Sequence, residues 1–511
     1  MVAQKRVSQL KSNLIANYAG KGWGALMALA FVPLYIRLLG IESYGLIGFF
    51  ATLQSVFALL DYGLNTTLNR ELARCSAVSN RAQEMHDLVR TLEIIYWGLA
   101  IVGGFAVLLL APLIASKWVN TKTLPISVVQ NAVMLMGLVM AFQWLQSFYF
   151  GGLIGLQRQV LYSALNSGWY TLRFAGAALV LWLISPTILA FFAWQLFINI
   201  VGAVLAALAL WHSLPKRSAV PRFRIAYLRS VWRFVAGMSA ISVTVLLLTQ
   251  MDKIILSRLV SLEAFGYYSL AWSVASSLGY LTSPVFTVVF PSFSKHVVLG
   301  DTEALKRLYH RACQFLSVII LPAAILVVFF APEVLLLWTR DAVLAQSGHN
   351  LVSLLMIGTV LNSLMNLPYA LQLANGWTSL ALCTNVISIV VLIPVLVFMV
   401  SYYGEIGAAV VWVVLNSGYV FIQLQVMHRR LLKGEQWRWY RDDVGRPLVA
   451  VLIVALPSRM LIRGELPLRV LFVCLGGVVI ASFVAAFLVT PATADWLRRI
   501  FRGRQLAKGH F

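Results

Sequence analysis

Fourteen long apolar runs constrain this chain more than any other feature. They fall near residues 14–36, 44–66, 92–115, 126–150, 161–184, 187–211, 233–257, 265–290, 313–337, 350–374, 378–402, 405–427, 447–462 and 468–490. A helix needs about 20 mostly apolar residues to cross a bilayer, and in lipid only helices and closed barrels satisfy all their own backbone hydrogen bonds. Polar or Pro/Gly punctuation separates each run from the next; the thirteenth is the weakest, being short and broken by Pro457 and Arg459. Composition agrees, with 60% of the 511 residues hydrophobic and 11% charged, against about 25% charged in soluble domains. The expected fold is an all-α polytopic membrane protein with about 14 transmembrane helices.

A net charge of +22 would point to nucleic acid in a soluble protein, but here the basic residues sit between the apolar runs. With the N-terminus inside, the inner segments hold 29 Lys and Arg and the outer turns hold 8. The positive-inside rule then places both termini in the cytoplasm of a multi-pass protein, and no nucleic-acid partner is needed. The first run is too long for a signal-peptide core and lacks an A-x-A-like site, so it reads as an uncleaved span. Cys75, Cys313, Cys383 and Cys474 show neither a disulfide framework nor zinc spacing. All seven histidines lie in loops or at span edges, so we expect no buried imidazole relay, no metal site and no cofactor. The outer turns are short, and no nucleophile stands beside a base, so the chain does not read as an enzyme.

The chain also repeats itself. Arg37 to Leu53 aligns without gaps to Arg258 to Val274 at an offset of 221, matching Arg37/Arg258, Leu38/Leu259, Glu42/Glu263 and Gly45/Gly266. Six runs separate the copies. That number is even, so the halves share one orientation and form two six-helix lobes related by a pseudo-two-fold along the membrane normal. The expected organisation is a first lobe over 1–212, a basic linker over 213–232, a second lobe over 233–430, and a terminal helix pair with a basic tail over 431–511. Arg37 and Arg258 read as structural cations at helix C-termini, with Glu42 and Glu263 as available partners. Pro33, Pro284, Pro322, Pro368 and Pro394 interrupt runs and are candidate bending points.

An ionised side chain at the centre of a span costs roughly 2.5–3.5 kcal/mol on insertion scales, so each needs a cavity or a partner. Three cations fall inside runs: Lys21, Arg173 and Lys253. Lys21 stands among Gly20, Gly22 and Gly24, which let a head group or another backbone approach; the alternative is a residue snorkelling to the membrane edge. Gly20-Lys21 is not a Walker A loop, because the glycine required five residues earlier is Ile15. Asn166, Trp169, Tyr170 and Arg173 follow at i, i+3, i+4 and i+7, a polar and aromatic stripe suited to sugar rings; the alternative is an arginine tied to a neighbouring helix. Asp252 and Lys253 are consecutive, about 100° apart on a helix, and are expected to pair poorly with each other. Asp61 and Asp252 are candidate ion-coupling carboxylates, and Asn17 a candidate cavity amide. Asp61 equally reads as a cap for the neighbouring polar cluster, and the other intramembrane amides as interhelical glue.

The segments Ser12 to Gly22, Phe31 to Leu46 and Leu59 to Arg74 (SNLIANYAGKG, FVPLYIRLLGIESYGL, LLDYGLNTTLNRELAR) resemble the polysaccharide and O-antigen flippases of the multidrug/oligosaccharidyl-lipid/polysaccharide exporter superfamily. That resemblance implies two lobes working by alternating access in the bacterial inner membrane. The implied cargo is an undecaprenyl-diphosphate-linked oligosaccharide moved from the cytoplasmic to the periplasmic leaflet for cell-surface polysaccharide. Lys21, Arg173 and Lys253 would then neutralise the diphosphate, and Asn17, Asn166, Trp169, Tyr170 and Asp252 would line the same cavity. Implied partners are membrane lipid, H+ or Na+, and a polysaccharide polymerase and glycosyltransferases. Many O-antigen flippases resemble twelve-span versions, so the last two spans depart from that pattern. Two other readings stand: a cation-coupled multidrug exporter, which needs an acidic cavity, and a non-transporting scaffold of glycan assembly.

Overall fold

The computed structural model describes residues 19–61, 64–76, 81–216, 219–225, 246–462 and 466–491. Among these, secondary structure is helical apart from one isolated bridge, and ten helices are long and apolar enough to cross a membrane. The chain divides into two compact units, Met1–Gly266 and Tyr267–Phe511.

The first unit contains α1 (Ala19–Leu39), α2 (Ile41–Asp61), α3 (Leu64–Ser76), α4 (Ala82–Leu113), α5 (Ile126–Gly155), α6 (Gln159–Leu183), α7 (Ile188–Ser213) and α8 (246–259). A ninth helix, α9 (Leu262–Ser276), begins in it and continues into the second unit. That unit continues with α10 (Gly279–Leu299), α11 (Thr302–Phe329), α12 (Ala331–Thr339), α13 (Ala342–Leu364), α14 (Asn366–Ala374), α15 (Thr378–Gly418), α16 (Leu424–Leu431), α17 (Arg446–Leu461) and α18 (Leu468–Val489). Every expected run coincides with helix in its described part. The runs at 378–402 and 405–427 meet at Gly404, whose φ of 58° and ψ of −140° break α15. Of the expected bending points, Pro33 opens a fresh helical segment after a turn at residue 31. Pro284, Pro322 and Pro394 stand inside helices.

The surface explains the composition. Ile101, Val102, Leu109, Trp182, Leu183 and Phe472 each leave between 62% and 70% of their area uncovered. Monomeric soluble proteins rarely tolerate such patches, whereas acyl chains cover them at no hydrophobic cost. Inside the first unit, α5 is the packing hub: Trp144, Phe148, Tyr149 and Leu153 meet Tyr96 of α4, Leu72 of α3 and Leu210 of α7 in one buried cluster.

The repeat has a steric meaning. A Cβ at Gly45 would lie 2.2 Å from the Leu262 carbonyl oxygen, and one at Gly266 would lie 2.3 Å from that of Ile41. The recurring glycines are therefore the crossing point where α2 and α9 touch backbone to backbone, with no room for a side chain. The segment after α4 ties the same crossing together. Leu262 N–H donates to the Asn120 carbonyl at 2.7 Å, Asn120 Nδ2 to the Arg258 carbonyl at 2.9 Å, and Trp118 Nε1 to Ser257 Oγ at 3.0 Å. Glu42 accepts from the Lys122 and Thr123 backbone N–H groups at 2.6 and 3.0 Å, and Glu263 pairs with Lys122 at 3.0 Å. The repeat's carboxylates thus hold this loop rather than Arg37 and Arg258, and Arg258 lies over the Trp118 ring instead.

The expected linker is described at 213–216 and 219–225 only. It docks on the start of α4: Arg222 N–H donates to Asp87 Oδ1 at 2.9 Å, Arg224 N–H to Thr91 Oγ1 at 3.0 Å, and Arg224 Nε lies 2.8 Å from Asp87 Oδ2.

Substituting either crossing glycine is expected to destabilise the fold. Gly45→Ala and Gly266→Ala force backbone apart and should each cost about 1–3 kcal/mol. Gly22→Ala, with nothing within 4 Å of the added carbon, should be neutral or gain up to about 1 kcal/mol of helix propensity. Thermal unfolding of the detergent-purified variants measures the ordering, and equal melting of all three would contradict the crossing.

Candidate functional site

The sequence placed its candidate site residues on four helices, and the structure gives the surroundings of those it describes. Lys21 is on α1 and is exposed; no hydrogen bond or ion pair holds it among the described residues. Of the three glycines around it, Gly20 and Gly24 face α6 while Gly22 faces open space. A Cβ at Gly20 would touch Ser167 Oγ at 3.4 Å, and one at Gly24 would lie 2.8 Å from Tyr170 Cε2, so α6 lies close along α1. Trp23 Nε1 donates to Thr171 Oγ1 at 2.8 Å, and Tyr35 OH donates to the Phe174 carbonyl at 2.7 Å. Those bonds fix the face of α6 that α1 meets. Lys21 is one residue round from Gly20, its ammonium unclaimed.

Arg173 is half-buried. Its Nε donates to Gln195 Oε1 at 3.0 Å, and Gln195 Nε2 returns a bond to the Arg173 carbonyl at 3.3 Å. The guanidinium carbon lies 5.0 Å from the Trp169 ring centre and 5.6 Å from that of Phe174. This geometry suits a cation over π faces. Its two terminal nitrogens have no hydrogen-bond partner among the described residues. A guanidinium has five N–H donors, and the protein uses the one that orients it.

The stripe around Arg173 divides. Tyr170 covers Gly24 of α1, while Trp169 is 9% exposed and turns toward α7 and α5. There it shares a 170 Å³ hollow with Gln146 and Gly202. Trp169 Nε1 and Gln146 Nε2 are buried donors without a partner among the described residues. Asn166 is half-buried and makes no hydrogen bond among the described residues. Residues four apart share a face on the helical wheel, but α1 and α7 divide that face between them.

Asp252 and Lys253 pair with each other, against expectation. Lys253 Nζ lies 3.2 and 3.0 Å from the two Asp252 oxygens and donates to the Thr249 carbonyl at 3.1 Å. The side chains are 10% and 13% exposed. Adjacent Cα–Cβ vectors do diverge by about 100°, but the four-carbon lysine stem folds back across that angle. Asn17 and the Asp61 side chain lie outside the described residues.

Two features escaped the sequence. A 470 Å³ cavity beside α2 and α5 is lined by Gln54, Ser55, Gln143, Trp144 and Ser147, and Gln54 Nε2 donates to Gln143 Oε1. Glu93 of α4 is 5% exposed and accepts from Tyr149 OH at 2.7 Å, Trp211 Nε1 at 3.2 Å and Arg90 at 2.9 Å. A further expectation fails in the second unit: His310 and His428 are 2% and 0% exposed and belong to a buried polar cluster. The reason is that α11 starts at Thr302, capped by Asp301 on the Ala304 N–H at 2.9 Å, well before the apolar run begins.

Known proteins resemble this chain in sequence and fold. The family model described as polysaccharide biosynthesis protein matches residues 34–340. A Shigella flexneri protein assigned as an O-antigen transporter is 22% identical over 408 residues, which are 78% of this chain and 93% of that relative. The fold matches that of the lipid II flippase MurJ in an inward closed conformation, with TM-score 0.69 and 13% identity over 93% of this chain and 98% of that one. It also matches an inward-facing multidrug resistance MATE family transporter of the MOP superfamily, with TM-score 0.67 and 15% identity over 80% of this chain and 94% of that one. Likeness at such identities speaks for the fold alone.

The Asp252–Lys253 pair makes a double-mutant cycle informative. Asp252→Leu or Lys253→Met alone strands a buried charge and should destabilise by about 3–5 kcal/mol, whereas the double variant should recover most of that loss. Thermal unfolding in detergent reads the coupling; additive losses would mean the two side chains do not depend on each other.

Proposed function

The chain belongs to the family of polysaccharide biosynthesis proteins, and from that premise we propose that it is a flippase for an undecaprenyl-diphosphate-linked oligosaccharide. It moves this lipid from the cytoplasmic to the periplasmic leaflet of the bacterial inner membrane by alternating access, with both termini in the cytoplasm, and makes or breaks no covalent bond. The observation that carries this reading is the open valence of two intramembrane cations. Lys21 has no partner among the described residues, and Arg173 is held by Gln195 at one nitrogen with its terminal pair unclaimed. Their unused donors suit a diphosphate, since guanidinium binds paired oxygens bidentately and charge-assisted bonds are the strong ones.

The rest of the site follows from the lipid's chemistry. Sugar hydroxyls need donors and acceptors, which Gln54, Ser55, Gln143 and Ser147 offer around their cavity. The isoprenoid tail needs only the acyl-chain region. Lys253 is committed to Asp252 and joins the phosphate contacts only if that pair opens. A cation-coupled drug exporter would need a free acid for its cargo. Asp252 and Glu93 are instead already neutralised or saturated by hydrogen bonds. H+ or Na+ as driving ion, and a polymerase and glycosyltransferases as partners, belong to this proposal.

Reversing both cations tests it. Lys21→Glu with Arg173→Glu should lower translocation of labelled undecaprenyl-diphosphate glycan in proteoliposomes by roughly 100-fold or more, from two lost charge-assisted contacts. Membrane insertion should be retained, while melting should fall, because a carboxylate at position 173 meets Gln195 Oε1 and the Trp169 and Phe174 rings. Undiminished translocation by the folded double variant would overturn these assignments.

A further inference from the structure

Transport as proposed uses none of the titratable groups buried at the start of α11. His310 presents both ring nitrogens to carboxylates: Nδ1 is 2.5 Å from Asp443 Oδ2 and Nε2 is 3.1 Å from Glu435 Oε2. Asp443 is 0% exposed, and its other oxygen accepts from Gln314 Nε2 at 2.8 Å. Glu435 also lies 3.6 Å from Lys306 Nζ and 3.6 Å from Arg438. Tyr309 OH is 3.3 Å from His428 Nε2, while His428 Nδ1 is 3.1 Å from the Leu424 carbonyl. Nδ1–H therefore donates to that carbonyl, Nε2 accepts from the tyrosine, and His428 is neutral. Cys313 is buried one turn beyond His310, against Tyr309, and Tyr440 completes the surround.

Counting protons decides what this arrangement holds. Each contact between a ring nitrogen and a carboxylate oxygen needs one hydrogen between them. Neutral imidazole between two ionised carboxylates supplies one hydrogen for two contacts, so one nitrogen lone pair would face an anion. Two contacts at 2.5 and 3.1 Å require a second proton on the set. We infer that Asp443, His310 and Glu435 form a proton-binding site that, when occupied, fastens the turn opening α17 and the loop after α16 to α11.

The surroundings say where the proton rests and how it leaves. Burial pushes the Glu435 carboxyl up, but His310, Arg438 and Lys306 together outweigh it and hold the group below the usual carboxylate range. Burial holds the Asp443 carboxyl above the usual carboxylate range despite its contact with His310, which places the second proton in that shorter contact, and Glu435, whose side chain is 18% exposed, faces water. The sign follows: the fastened state is favoured at low pH, and as pH rises and the proton departs, one contact becomes repulsive and the joint weakens.

Amide substitutions replace the proton. In Asp443→Asn the amide donates to Nδ1, neutral His310 donates to Glu435, and Gln314 keeps its acceptor. Glu435→Gln does the same from the other side. In the full-length protein with Cys75, Cys383 and Cys474 changed to serine, maleimide alkylation of Cys313 reports loosening of the joint. Between about pH 5.5 and about pH 9 the parent should gain about tenfold in alkylation rate relative to either amide variant, the effect on opening of one lost hydrogen bond. Parallel pH profiles for the parent and Glu435→Gln would overturn the inference, and this variant decides the matter if Asp443→Asn does not fold. Alkylation needs no glycan, so the result stands apart from the flippase reading.

Discussion

An ionised group in hydrocarbon has to find its compensation inside the protein, and the way each charge does so sorts the polar residues of this chain. Most are closed accounts in the chemical sense that their donors and acceptors are matched. Lys253 meets both oxygens of Asp252, and Glu93 accepts from three side chains on three helices. Against that background Lys21 and Arg173 are incomplete among the described residues, which is the basis of the proposed diphosphate contacts. Gln195 uses only the nitrogen that sets the plane of the guanidinium, while Trp169 and Phe174 hold its carbon at cation–π distance. An arginine oriented in this way has its fork available to an incoming anion, whereas a merely structural arginine would have its fork consumed.

The same economy shapes the backbone. Between lipid-facing helices there is no hydrophobic gain to drive association, so close packing and hydrogen bonds must supply it. Gly45 and Gly266 bring α2 and α9 to carbonyl contact, and Gly20 and Gly24 bring α1 onto α6. Close approach at those points aligns the hydrogen bonds from Trp23 and Tyr35. Those bonds in turn fix the rotation of α6 and so the direction of Arg173. The placement of Arg173 thus depends on glycines of α1 that lie against a different part of α6.

Apolar length was enough to read the helices, because crossing a bilayer demands about 20 apolar residues whatever the tertiary structure. The repeat was legible for a related reason: a backbone contact leaves glycine as the only choice at both members of the pair. Partners across helices were not legible. Gln195 could not be assigned to Arg173 from spacing, since the two meet only when α6 and α7 pack. The Asp252–Lys253 pair was misread because a helical wheel locates Cβ atoms and ignores the reach of a lysine stem. His310 and His428 looked like membrane-edge residues because the start of α11 is polar in sequence. Residues more than a hundred positions later bury it.

Those later residues bear on the terminal helix pair α17 and α18. Its helices are held by the rest of the second unit at both ends of α17. Near the start of α17, Asp443 binds His310 and Gln314 of α11. At the far end, Leu471, Leu475 and Val478 of α18 bury Phe330 in an apolar cluster with Leu326 and Phe329 of α11. At the far end of α17, Arg459 pairs with Glu333 of α12 and lies over the Phe330 ring. A pair serving only as a membrane anchor would need apolar length and nothing more. Charged contacts at both ends of α17, with an apolar cluster beside the far one, make α17 and α18 part of the body that α11 and α12 belong to. Any motion of α11 therefore carries the terminal pair with it unless the contacts at His310 are released.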